Sequence, residues 1–207
     1  MQAGSTSAWA SFTLRAALEM DANVVIGKLT TASARAGFDV QLADQTLAWA
    51  GQISVIQRVA RELVQENEGN GDWTVLLEYP IPRREKRIDA VVVADHFVVV
   101  IEFKIGKSEF DRADLWQVQD YLLDLRDFHE ASRGLHLEGV LVATAASAPR
   151  SLEIDRPTGI HKSNSDLLGD TILSIKSRVG VALDLVIDGE VWAASGTDRW
   201  SACCVRR

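Results

Sequence analysis

Short runs of Val, Ile and Leu alternate along the chain with longer segments whose apolar residues recur every three or four positions, so strands and amphipathic helices are both expected. Helices are predicted at about 8–20 and 22–35, with Asp21 as N-cap of the second and Gly37 just past its end. A longer helix is predicted over 42–66, where Leu47, Ile53, Ile56, Val59, Ala60 and Leu63 fall near one face. On the same segment Arg58, Arg61, Glu62, Gln65 and Glu66 lie mostly elsewhere, and the two glutamates are read as surface. Strands follow at about 73–79, 87–94 and 97–105, then a helix at 109–130 and a strand at 137–144. Beyond Ala145, Pro149 and Pro157 bracket a loop region, a helix is predicted near 164–177, and Leu183–Ile187 reads as a short strand. In this αβββαβ order the helix after the third strand must cross the sheet before the fourth begins. The expectation is an α/β fold: a three-layer sandwich with a central mixed sheet between helices.

The stretch Arg87–Lys104 carries the most information. Two Val-rich and Ile-rich runs flank Ala94-Asp95-His96 and predict a β-hairpin in which Ala94 lies opposite Phe97 and Asp89 opposite Glu102. Residues two apart share a face, so Val98, Val100, Glu102 and Lys104 point one way, while Val99, Ile101, Phe103 and Ile105 form the expected core face. Like charges directly opposite across a ladder repel, and an unpaired charge taken out of water costs several kcal/mol as an order of magnitude. An exposed ion-pair cluster, worth roughly 0 to 1 kcal/mol per pair, is one resolution. A divalent cation held between the carboxylates is the other. The concentration of Asp89, Glu102 and Lys104 in buried-looking runs favours the cation, because Lys104 alone neutralises only one of the two negative charges.

Ile88-Asp89 followed by Glu102-Phe103-Lys104 resembles the PD-(D/E)XK nuclease superfamily. Gln117-Val-Gln-Asp-Tyr121 on the next helix is similar to the Gln-x-x-x-Tyr element of its RecB-like branch, and Glu78 lies on a strand where the superfamily often places another acidic residue. Across about 40–145 the order and spacing resemble the nuclease-like domain that precedes a Schlafen-type helicase domain in bacterial proteins. The resemblance implies a restriction-endonuclease-like fold and a metal-dependent nuclease, acting on DNA in preference to RNA, in DNA repair or defence. It implies Mg²⁺ or Mn²⁺ held by Asp89 and Glu102, by the main-chain carbonyl of Phe103 and by Glu78; oxygen donors suit these hard ions. Lys104 would orient or activate the attacking water and offset developing charge, while Gln117 and Tyr121, four apart on one helical face, would position the site. For Tyr121, core packing with its hydroxyl tied to the site is the expected role.

Composition changes this picture little. The chain has 207 residues, 47% hydrophobic and 25% charged, which is enough to bury one substantial core. An N-terminal helical extension is expected at 1–40, the nuclease-like domain at 41–195 and an irregular tail at 196–207. No apolar run of 18 or more residues and no leader pattern occurs, so a cytoplasmic protein is expected. Adjacent Cys203 and Cys204 give neither a disulfide framework nor zinc-site spacing, and both are expected reduced. The net charge of −7 argues against tight, indiscriminate duplex binding. Basic residues nevertheless flank the hairpin: Arg83, Arg84, Lys86 and Arg87 precede it, Lys107 follows it, and all five are candidate contacts to a phosphodiester backbone.

Other chemistries are excluded by their missing residues. Gly106-Lys107-Ser108 follows a strand as in a phosphate-binding loop, but Ile101 stands where that motif needs Gly; Gly27-Lys28 fails in the same way at Ala22 and Leu29. His129-Glu130 lacks the second His of a zinc-protease helix, and the four histidines show no ligand spacing. In the resembling bacterial proteins a helicase domain follows the nuclease-like one, whereas this sequence ends at Arg207. A truncated or free-standing module is expected, acting alone or with a separate helicase. The alternative is a catalytically inactive nuclease-fold module that binds nucleic acid or a partner helicase.

Overall fold

Seven strands form one mixed sheet in the computed structural model of the chain, which describes residues 8–37, 42–81, 86–147, 152–180 and 186–195. The strands are β1 (Ala10–Thr13), β2 (Thr74–Pro80), β3 (Arg87–Val93), β4 (Phe97–Lys104), β5 (His136–Ala143), β6 (Glu153–Ile154) and β7 (His161–Ser163). The α-helices are α1 (Leu14–Ala17), α2 (Ala22–Arg35), α3 (Leu42–Glu66), α4 (Arg112–Phe128), α5 (Leu168–Val179) and α6 (Gly189–Ala194). Strand order across the sheet is β1-β2-β3-β4-β5-β7-β6. The pairs from β1 to β4 are antiparallel, β4 with β5 and β5 with β7 are parallel, and β6 closes the edge antiparallel to β7. Helix α4 makes the crossover that a parallel β4–β5 pair requires. Among the described residues no helix is long and apolar enough to cross a membrane.

The hairpin has the expected register: Val93 lies opposite Val98, Ala90 opposite Ile101, and the Ala94 N–H donates to the Phe97 carbonyl at 3.0 Å. The ladder ends at Ala90–Ile101, short of the expected Asp89–Glu102 rung, and one residue beyond it Asp89 reaches β4 through its side chain, which accepts the Phe103 N–H. The expected core face holds for Val99, Ile101 and Phe103 but not for Ile105, which lies past the end of β4 and is exposed, and the opposite face is core as well. Val99, Ile101 and Phe103 pack with α2, α3 and α5, while Val98 and Val100 pack with α4 and α6. Strands covered on both sides read as continuous apolar runs, and each fully buried Val or Ile contributes roughly 1.5–3 kcal/mol.

The N-terminal segment departs from the helical reading. Residues 10–13 add edge strand β1 to β2, Ala10 facing Leu77 and Thr13 facing Thr74, and only Leu14–Ala17 turns helical, capped by Thr13 Oγ1. A sheet edge with unpaired backbone groups outweighs the weak helix preference of a four-residue stretch. Ala10, Leu14, Val25 and Leu29 enter the same core as α3, so residues 10–35 are built into the main sheet and core. The Asp21 cap is present, its Oδ1 accepting from Asn23 N at 2.8 Å, and Gly37 has φ +78° just past α2. On α3, Ile53, Ile56, Val59, Ala60 and Leu63 are buried as expected, but Leu47 is 71% exposed and Trp49 takes the core position instead.

Downstream, β6, β7 and α6 were not anticipated from the pattern. The helix predicted from 164 starts at Leu168, because Asn164 Oδ1 accepts the N–H groups of Asp166 and Leu167, each at 3.0 Å, and holds a turn before it. Of the predicted strand 183–187, residues 183–185 lie outside the described residues, and Val186 and Ile187 are in no strand. The tail at 196–207, with both cysteines, also lies outside them. Trp192 of α6 is fully buried against Tyr79 and His129, with ring centroids 5.1 and 4.4 Å away. Burial pushes the His129 imidazole down to about 4, so it stays neutral while bridging the Tyr79 hydroxyl and Ser132 Oγ at 3.1 and 2.7 Å. Trp192→Ala is expected to cost about 3–5 kcal/mol in a denaturant titration by opening a cavity under this helix; a loss below about 1 kcal/mol would show α6 to be peripheral.

Candidate active site at the end of the central hairpin

Strand β4 delivers Glu102, Phe103 and Lys104 to the rim of the sheet, where α3 closes from one face and α4 from the other. There a pocket of about 350 Å³ is lined by Trp49, Gln52, Glu78, Asp89, Glu102 and Lys104, among others. Open α/β sheets bind ligands beyond the carboxyl ends of their parallel strands, and the end of β4 beside β5 is such a place. A hollow of about 740 Å³ on α2, between Trp9, Lys28 and Arg35, is larger but has no carboxylate among its described lining residues.

Asp89 is half-buried, and its Oδ2 accepts the Phe103 N–H at 2.8 Å, so the carboxylate is turned across the hairpin toward β4. Burial, then the charges of Glu102 and Glu78, push its carboxyl well above the usual range. Glu102 is 5% exposed, and burial raises it too, against the pull of Lys104. Its Oε1 accepts from Lys104 Nζ and Gln117 Nε2, both at 2.9 Å, while its Oε2 is buried with no hydrogen-bond partner.

Glu78 is placed by its backbone. Its φ of +51° makes it the one described non-glycine residue in the left-handed region, a conformation costing about 1–3 kcal/mol. The β2–β3 ladder pairs Leu77 with Ala90 and Tyr79 with Ile88 but omits the Glu78–Asp89 rung between them. Strand alternation would put Glu78 on the face of Leu76, toward α4; the left-handed turn sends it to α3, where Trp49 Nε1 donates to its Oε1 at 2.7 Å. Burial raises the Glu78 carboxyl, with the Trp49 bond and Arg87 opposing.

Helix α4 completes the site. Lys104 Nζ lies 3.2 Å from Gln117 Oε1 and 3.2 Å from Asp114 Oδ1, and Gln117 Nε2 also donates to the Tyr121 hydroxyl. Asp114, Gln117 and Tyr121 follow at three and four residues and so share one helical face. Burial lowers the Lys104 ammonium, but Glu102 and Asp114 outweigh it, and the net direction is upward: Lys104 stays charged. Against burial, hydrogen bonds and charge from Lys107 and Lys104 hold Asp114 below the usual range. Burial and Glu102 push the Tyr121 phenol up, so it is neutral.

No family model matches the chain, and no curated protein or solved structure is significantly similar to it. The reading of the site therefore rests on its own geometry. The five residues expected at the site, Asp89, Glu102, Lys104, Gln117 and Tyr121, are neighbours in the structure, and Trp49 and Asp114, not among the expected ones, join them. Asp114 was discoverable from its helical spacing to Gln117; Trp49 carries no signal beyond that of a core residue.

The basic residues are less available than their number suggests. Arg83 and Arg84 lie outside the described residues, and Lys86 is exposed. Arg87 is half-buried, its Nη1 donating to the Glu78 carbonyl at 3.0 Å and its guanidinium resting 4.2 Å from the centre of the Trp9 ring. Lys107 is held by Asp111 and Asp114 at 2.5 and 2.9 Å. Arg87 and Lys107 thus serve the site's internal charge balance.

Whether these residues fit a divalent ion can be tested on their chemistry. Among the described residues no three His, Cys, Asp or Glu side chains form a group able to hold a metal ion by themselves. Mg²⁺, however, is usually bound through one or two carboxylates plus waters and substrate phosphate oxygens. The orphaned Glu102 Oε2, beside an Asp89 carboxylate that repels it, matches that smaller demand.

Proposed function

We propose that the chain is a Mg²⁺-dependent or Mn²⁺-dependent nuclease of restriction-endonuclease-like fold that hydrolyses phosphodiester bonds, in DNA rather than RNA. The observation that carries the reading is the buried, unpartnered Glu102 Oε2 set next to Asp89, with a charged lysine two residues further along the strand. A protein with no use for that arrangement gains nothing from mutually repelling carboxylates in a covered sheet. The strained backbone at Glu78, directly beside the pair in the sheet, adds to it, since such conformations concentrate at functional sites.

Asp89 and Glu102 would hold the ion, with the Phe103 carbonyl and Glu78 as further oxygen donors. A bound divalent ion supplies charge neutralisation at the phosphodiester and a more acidic water. Phe103 N–H fixes the Asp89 carboxylate at the pocket wall. Lys104, kept protonated by Glu102 and Asp114, donates hydrogen bonds to the phosphate and offsets the charge that grows on it during attack. Gln117 positions Glu102 and Lys104 together, and the Tyr121 hydroxyl steadies Gln117 from below.

The test is purified protein on single-stranded and duplex DNA and on RNA, with Mg²⁺, Mn²⁺ or chelator, paired with calorimetric titration of Mn²⁺. Cleavage that needs the metal, with Mn²⁺ heat that disappears in Glu102→Gln, is expected. No cleavage of any substrate and no Mn²⁺ heat would overturn the assignment in favour of an inactive module that binds nucleic acid or a partner helicase.

A further inference from the structure

A second cleft lies next to the candidate active site and has a different chemistry. It measures about 480 Å³ and runs along α3 past Gly51, Ser54, Arg58 and Arg61, with Ile105 and Thr144 at the sheet rim opposite. Ile105 also lines the pocket that holds Asp89 and Glu102, so the two hollows meet at this residue. Gly51 makes the junction narrow: a Cβ there would stand 3.3 Å from Ile105 Cδ1, so a side chain at this position would press on Ile105. Across Ile105 from the acidic pocket there is thus a cleft whose described lining offers two guanidinium groups and several hydroxyls and no carboxylate.

Arg58 and Arg61 have different tasks. Arg58 is pinned to the far wall, Nη1 to Asp166 Oδ1 and Nη2 to the Ser165 carbonyl, both at 2.6 Å, and Asp166 neutralises it. Glu62 is close to both arginines and is drawn more strongly by Arg58 than by Arg61. Of the two, Arg61, three residues on, is exposed and feels Glu62 the less, so it is the cation better placed to meet a ligand. It stands ten residues beyond Gly51 on the same stripe of α3, roughly 15 Å along the axis at the α-helical rise, which spans a few nucleotides of a strand.

We propose that this α3 cleft carries the phosphodiester backbone of the substrate strand beyond the scissile position, with Arg61 as its phosphate contact and Ser54 and Thr144 along the track. The proposal rests on the nuclease reading and deepens it by assigning a path to the strand. It adds a contact to the basic residues that flank the hairpin, of which Arg87 and Lys107 are engaged internally.

The test is fluorescence anisotropy with labelled single-stranded DNA of roughly 15 nucleotides, near the upper end of common site sizes, in chelator and across a salt series. Arg61→Ala is compared with Arg126→Ala, an exposed arginine on α4, and both are checked for unchanged melting. Arg61→Ala is expected to weaken binding about 3–10-fold and to reduce the slope of log affinity against log salt by about 0.7, with Arg61→Glu weaker still and Arg126→Ala unchanged. If cleavage occurs, Arg61→Ala should raise KM and leave kcat. Equal affinity for Arg61→Ala and wild type, equal losses in both alanine variants, or no binding by wild type would each overturn the proposal. Because binding is read without metal, Arg61-dependent binding with no cleavage would sink the nuclease reading alone, and cleavage indifferent to Arg61 would sink the cleft alone.

Discussion

Asp89→Asn is expected to abolish cleavage, by at least about 100-fold, and at the same time to raise the melting temperature in chelator at pH 7–8. The two effects have one cause. The folded protein pushes the Asp89 carboxyl well above its ordinary value through burial and the charges of Glu102 and Glu78. A carboxyl raised on folding contributes stability that is whole below the unfolded pKa, about 3.9, and is lost as pH rises through the folded pKa. At neutral pH the ionised cluster therefore weighs on the fold, and asparagine removes that cost while its Oδ1 can still accept the Phe103 N–H. The gain should be about 1–2 kcal/mol, or roughly 2–8 °C, shrinking toward zero near pH 4. Mn²⁺ should stabilise the wild type by mass action and leave the variant unmoved. Melting below wild type at every pH would show that Asp89 carries no electrostatic strain, and the metal argument would lose its energetic basis.

How legible all this was in the sequence depends on range. The hairpin register followed from Val and Ile runs around a short turn, because the strand period of two leaves one pairing that matches the apolar sets. Period alone could not say that both faces were covered. The continuous runs in β3 and β4 imply it, while the charged residues at their ends are compatible with an exposed side as well. Residues 10–13 are a strand only because the edge of β2 was open, and nothing within four residues encodes that. Short β6 and β7 pair with an established sheet and carry no pattern of their own.

The site divides along the same line. Asp89, Glu102, Lys104, Gln117 and Tyr121 were visible as spacings of two on a strand and four on a helix, and β4 and α4 bring those spacings face to face. The role of Glu78 depends on one left-handed backbone angle, and that of Trp49 on α3 crossing above it; neither can be read from local sequence. Within the expected cationic flank, a count of arginines and lysines does not reveal that Arg87 and Lys107 spend their charge on neighbouring groups.

Lys104→Met should lower kcat/KM by about 10²–10³ and, at the same time, destabilise the fold by about 2 kcal/mol near neutral pH. The stability loss arises because Glu102 and Asp114 keep their charges in a mostly buried setting and lose the ammonium 2.9 and 3.2 Å away. Its pH dependence separates two roles for the lysine. A general base must be unprotonated to act, and lysines recruited for that work have pKa values brought down toward neutrality. Here the carboxylates outweigh burial and the ammonium is raised, so its contribution to stability is complete below the unfolded value, about 10.4, and is lost only as pH climbs through the still higher folded one. Between pH 6 and 9 the charge is constant, and the ratio of wild-type to variant kcat/KM should be constant with it. A ratio that grows about tenfold per pH unit would make Lys104 the proton acceptor instead. In that case the hydrogen bonds from Lys104 to Glu102 and Gln117 would describe a resting arrangement that substrate must break.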